Sequence, residues 1–154
     1  MATKKPIAKK KGPNKATRMR RLKKACHEAW SRVVRLRDKT CRRCSVGKTP
    51  EELDKPQSLA GHHWIVSAAR SLQDRYNPAN GTALCYGCHI RVIHKEASYA
   101  NSVALFNTML ETVDESEILA VLLRAGTESP DFKEDDLKTI LADLQEQIRK
   151  LEET

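Results

Sequence analysis

Aromatic residues make up only 5% of the 154-residue chain, so large rings contribute little to any core. A domain this small, with little apolar bulk, needs some other staple, such as a bound metal. Long apolar runs are also missing. Ile118 to Leu123 is the longest in the C-terminal part, far short of the roughly 20 residues that a membrane-spanning helix requires. The N-terminus is basic without an apolar stretch behind it, which is not the pattern of a secretory signal. Internal repeats are absent. The expected setting is the reducing cytoplasm, where paired Cys-x-x-Cys motifs act as metal ligands rather than as disulfides.

Charge is plentiful and unevenly spread. The formal net charge is +8. Residues 1–110 hold 23 Lys and Arg against 7 Asp and Glu, whereas residues 111–154 hold 5 against 13. The basic body suggests a polyanionic partner, because each phosphate contact releases counterions. The acidic remainder fits either a shield for that surface or a contact with a partner protein. Residues 1–15 are Lys-rich, with Pro and Gly and almost nothing to bury. They read as a disordered basic arm suited to nucleic-acid contact, or as a solubilising tail.

Met19, Leu22, Cys26, Trp30 and Val33 recur at spacings of three and four, which predicts a helix over 17–38 with Thr17 as its cap. Cys26 on that stripe reads as a small buried residue, and His27 as an ordinary surface or packed histidine. Short strands are expected within 59–65 and 82–84, separated by a long connection that ends in the turn signal Asn77-Pro78-Ala79-Asn80-Gly81. A further helix is expected from near Cys88 to about Lys95. Asp114 and Glu117 are spaced to open another helix, ending at Gly126, and Ser129-Pro130 suits the start of the last one. Leu137, Leu141, Leu144, Ile148 and Leu151 repeat at 4, 3, 4, 3, an apolar seam. It covers barely two heptads. Packing on the helix at 116–125, or a homodimer or partner contact through these C-terminal helices, would satisfy it.

The densest chemistry lies between residues 41 and 94. Cys41, Cys44, Cys85 and Cys88 form two Cys-x-x-Cys knuckles 40 residues apart. Four thiolates supply the closed tetrahedral coordination of structural zinc. Between and beside the knuckles stand His62, His63, Asn80, His89 and His94. Adjacent His62 and His63 point to opposite sides if they lie on a strand, so one can ligate a metal while the other faces a water molecule.

The arrangement HH…N…CxxCH resembles the HNH, or ββα-metal, nuclease motif. The stretches HEAWSRVVRLRDKTCRRC, GHHWIV and RYNPANGTALCYGCHIRVIH look like small bacteriophage HNH proteins, similar to the lambda NinG (Rap) type of recombination nuclease. The resemblance spans residues 22–98. It implies an α+β fold with a zinc-stapled ββα-metal core; the N-terminal helix and this zinc-bound domain together take 16–100, and charge and apolar period mark 101–154 as an acidic helical extension. It further implies a DNA endonuclease using one divalent ion (Mg2+, Mn2+, Ni2+ or Zn2+), in a bacterial host's cytoplasm if phage-encoded. Position by position, His63 matches the general base and Asn80 the central loop-bracing residue. His62 and His89 match metal ligands, and His94 the last ligand.

The last match departs from the pattern, which places that ligand four residues after His89, where this chain has Ile93. On an ideal helix a four-residue step leaves two side chains about 40° apart and a five-residue step about 140°. A π-bulge would restore the geometry. Two other readings stay open: a non-catalytic zinc-containing DNA-binding or regulatory protein that keeps the fold, and an adaptor acting through the C-terminal helices.

Overall fold

The computed structural model describes residues 14–48, 52, 59–65, 74–90, 99–125 and 131–154. Of the basic arm expected over 1–15, residues 1–13 lie outside the described residues, as do the start signal Ser129-Pro130, Gly126 and His94; Asn14 and Lys15 instead cap and begin the first helix. Among the described residues the fold is α+β: four α-helices, one 3-10 turn and a two-stranded antiparallel sheet. No helix among them is long and apolar enough to cross a membrane.

Helix α1 spans Lys15–Asp38. Its cap is Asn14, three residues before the expected Thr17; the Asn14 carboxamide oxygen accepts from the Thr17 N–H at 2.9 Å. Either residue type can cap a helix. The earlier one prevails because residues 15 and 16 are already helical. At the other end Lys39 turns into the left-handed region (φ 55°), closing the helix two residues before Cys41. The apolar stripe of α1 is the centre of the core: Cys26, Trp30, Val33 and Val34 are buried. The Cys26 thiol donates to the Leu137 carbonyl at 3.3 Å.

Strand β1 (Ala60–His63) pairs antiparallel with β2 (Gly81–Leu84), with His62 opposite Thr82 and His63 opposite Gly81. The sheet lies against α1. A Cβ on Gly81 would meet Val34 at 2.5 Å and Trp30 at 2.7 Å, so only glycine lets the strand approach this closely. The expected turn before β2 is a 3-10 turn over Pro78–Asn80, with the Asn77 side chain accepting from Ala79 N–H. A helical turn follows over residues 86–90.

Helices α2 (Tyr99–Met109) and α3 (Glu115–Arg124) come next, and Asp114 caps α3 through Ser116 N–H at 2.8 Å. The last helix, α4, spans Glu134–Glu152; the Asp136 carboxylate accepts from Lys133 N–H at 2.7 Å at its start. Its seam corrects one expectation. α4 packs along α1 instead of on the helix at 116–125. Leu137 and Leu144 are buried in the α1 core, with Leu141, Ile148 and Leu151 against it. The seam is therefore spent inside the chain, and the large apolar residues exposed on α3 are Leu119, Leu122 and Leu123.

Candidate metal centre and histidine site

The first Cys-x-x-Cys knuckle hangs directly from the end of α1. Cys41 N–H donates to Val46 O at 2.9 Å and Ser45 N–H to Cys41 O at 2.8 Å. The tight loop this makes puts Ser45 at φ 58°. Arg42 N–H donates to Ala83 O at 2.9 Å, which fastens the knuckle to β2 and hence to the second pair, Cys85 and Cys88. The helical turn begins there, with His89 N–H donating to Cys85 O at 2.9 Å.

These two attachments bring four distant thiols together. The ligand atoms of Cys41, Cys44, Cys85 and Cys88 lie within 4.8 Å of one another, the only such group of three or more among the described residues. The Cys44 and Cys85 sulfurs are 3.7 Å apart. Tetrahedral zinc with Zn–S bonds of about 2.3 Å places its sulfurs about 3.8 Å apart, so the donor set fits such an ion. Electrostatics point the same way. Burial pushes the Cys41 thiol up, but backbone N–H groups of Cys85, Arg43 and Cys44 outweigh it and bring the group down to about 7. Burial and the neighbouring thiols push Cys88 well above its ordinary value. One thiolate thus suppresses its neighbours, and four ionise together only around a cation that reverses the repulsion.

The histidines divide between the two faces of β1, as alternation along a strand requires. His62 faces His89, their ring centroids 5.0 Å apart and edge-on at 68°. His63 points the other way, onto α1. Its ring stacks on Trp30 at 4.0 Å, with planes 13° apart, and lies parallel to His27 at 6.0 Å. His63 Nε2 sits 2.8 Å from the Arg75 carbonyl oxygen. That oxygen can only accept, so Nε2 carries the proton and Nδ1 keeps its lone pair. Burial depresses the basicity of His63; the Arg75 carbonyl offsets this in part, and the charges of His27 and Arg75 add to it.

Asn80 is fully buried and braces the segment that follows His63. Its Oδ1 accepts from Ile65 N–H at 3.0 Å, its carbonyl accepts from Trp64 N–H at 3.0 Å, and its Nδ2 donates to Asp74 O at 3.2 Å. Residues 88–90 adopt a π-helical turn; the step on to His94 lies outside the described residues.

Several supports escape a reading of the sequence. Asp38, whose side chain is fully buried, accepts from Ala83 N–H at 2.7 Å, Arg37 Nε at 2.7 Å and the Thr112 hydroxyl at 3.2 Å. Arg37 also donates to the carbonyls of Pro78 (2.9 Å) and Gly81 (2.7 Å). Asp74 takes a two-pronged contact from Arg124 at 2.7 and 3.1 Å. Trp30 Nε1 donates to Asn77 O at 3.0 Å. Only the position of Trp30 on the apolar stripe carried a signal. The others are charged residues whose partners, the Arg37–Asp38 neighbours aside, lie 41–74 positions away.

Compared with models of known families, with curated proteins and with solved structures, the chain finds no match.

Proposed function

We propose that the chain is a metal-dependent HNH endonuclease that hydrolyses DNA phosphodiester bonds. The observation that carries this reading is the division of labour along β1. One face presents His62 beside His89; the other holds His63 with Nε2 tied to a carbonyl and Nδ1 left to accept. Cys41, Cys44, Cys85 and Cys88 would hold a structural zinc that fixes the second knuckle to β2, with the helical turn carrying His89 beyond it. His62 and His89 supply two ligands for a catalytic divalent ion, with His94 a candidate third and water or phosphate oxygens completing the shell. Such an ion, when bound, polarises the scissile phosphate and stabilises the leaving 3′ oxygen.

The chain's own residues do the rest. His63, kept neutral by burial and by nearby positive charge, takes a proton from the attacking water at Nδ1. Arg75 holds the ring's tautomer through its carbonyl, and Trp30 holds its plane. Asn80 fixes the backbone just after His63. Water attacks phosphorus, the P–O3′ bond breaks, and the products are a 5′-phosphate and a 3′-hydroxyl. Incubation with supercoiled, linear and branched DNA in Mg2+, Mn2+, Ni2+ or Zn2+ tests this reading; cleavage of at least one form is expected.

The five-residue spacing from His89 to His94 favours a second reading, a zinc-containing DNA-binding protein that keeps the fold without catalysis. DNA binding with no cleavage in any metal would select it.

A further inference from the structure

The two flanks of α1 differ in how their charges are satisfied. Toward α4, Arg18 meets Glu134 at 3.6 Å and Arg32 meets Glu152 at 2.6 Å. The acidic helix thus neutralises that flank. On another face lie Arg20, Lys23 and His27, spaced three and four apart and so aligned along one side. Arg20 and His27 are exposed. Neither Arg20 nor Lys23 forms an ion pair with any described residue. Glu28, next to His27 in the chain, is engaged by Lys24 at 3.6 Å.

The stripe leads to the histidine site. His27 stacks at 5.5 Å on Trp30 and lies parallel to His63. Arg75 extends the positive surface past it. The Arg75 guanidinium stands 5.8 Å over the Tyr76 ring, and its buried Nε has no hydrogen-bond partner. The Tyr76 hydroxyl donates to Lys23 O at 3.3 Å, so the loop bearing Arg75 is fastened to the basic side of α1. Positive charge held in place without a carboxylate costs free energy that an incoming anion recovers.

We propose that Arg20, Lys23, His27 and Arg75 form a phosphate track that holds one strand of duplex DNA and leads it to His63. The inference rests on the nuclease reading above and adds which surface receives the substrate. Arg20 stands about 10 Å along the helix axis from His27. The contacts fall on the backbone and position the duplex without reading its sequence. The track meets the proton-abstracting ring through His27, whose ring lies 6.0 Å from it, and through Arg75, whose carbonyl orients it.

The test is fluorescence anisotropy with a labelled 20-base-pair duplex of arbitrary sequence, across a salt series, with no divalent metal added. Arg20→Ala/Lys23→Ala should weaken binding at least tenfold and flatten the slope of log affinity against log salt by about 2, close to 0.9 per lost phosphate contact. Arg75→Ala should flatten it by about 1, and Arg75→Lys should restore most of that slope. The control Arg18→Ala/Arg149→Ala removes two charges that already face acids, and should change affinity less than threefold. Melting temperature and zinc content report that each variant is folded. Equal losses in the track and control pairs, or no loss in either, would overturn the track. Wild-type protein that binds but never cuts defeats the nuclease reading alone. Wild-type protein that cuts, with track variants behaving like the control, defeats this inference alone.

Discussion

Trp30 and His63 stack with ring centroids 4.0 Å apart and planes 13° from parallel. The indole is fully buried in α1, so an imidazole on a two-stranded sheet takes its orientation from the rigid centre of the core. Trp30→Phe keeps an aromatic face but loses the Nε1 bond to Asn77 O. The expected cost is about 1–3 kcal/mol of stability, with a cleavage rate roughly tenfold lower through misplacement of His63. Thermal melts and single-turnover kinetics read the two effects separately. An unchanged rate in a folded Trp30→Phe protein would show that the stack does not position the base.

The pH dependence follows from the burial of His63, which depresses its proton affinity below the ordinary imidazole value. The neutral, accepting form therefore persists at more acidic pH than in a free histidine. The acid limb of the rate profile should have its midpoint below about 6.5. The same shift links to stability. The unfolded chain binds the proton more readily, so stability is full above the unfolded value and falls as pH drops through the folded one. His27, also depressed, mainly by partial desolvation of its ring against Trp30 and His63, adds in the same direction. Melting temperatures between pH 8 and pH 5 should fall, with a smaller fall in a His63→Gln variant.

Asp38 joins α1, β2 and the segment after α2 through one carboxylate. Asp38→Ala leaves the buried Ala83 N–H, the Arg37 guanidinium and that of Arg42, 3.7 Å from the Asp38 carboxylate, facing an empty site. Loss of about 3–5 kcal/mol is expected from breaking a buried charged network on one side, visible in urea denaturation. Asp38→Asn keeps the shape and should lose less. A cost under 1 kcal/mol for the alanine variant would mean that the network is dispensable.

Much of the site was legible because it is local. The two Cys-x-x-Cys pairs, the alternation of His62 and His63, and the Pro-Ala-Asn-Gly turn are short patterns with one geometric outcome each. The pairing of distant charges was not legible. Arg124 meets Asp74 across 50 residues, and nothing in either neighbourhood announces the other. The α4 seam illustrates the intermediate case. Leu137 and Leu144 declare which face of the helix is buried, but period alone does not say against what; α1 offered the longer apolar stripe and took it.

The thiol cluster predicts about one tightly held zinc per chain, measured by elemental analysis of reduced, folded protein. Cys41→Ser and Cys85→Ser should each abolish zinc retention and lower the melting temperature sharply, because both knuckles hang on β2. Folded, reduced protein without stoichiometric zinc would contradict the assignment.

The most direct test of the account is the DNA cleavage rate of His63→Ala in the metal that best supports the wild type, measured beside DNA affinity and zinc content. On the proposed reading His63 only removes a proton, while the thiols hold the fold and the Lys and Arg surface holds the substrate. Cleavage should therefore fall roughly 100-fold to 10,000-fold, with affinity and zinc content near wild type. Cleavage that persists at the wild-type rate in His63→Ala would contradict the account.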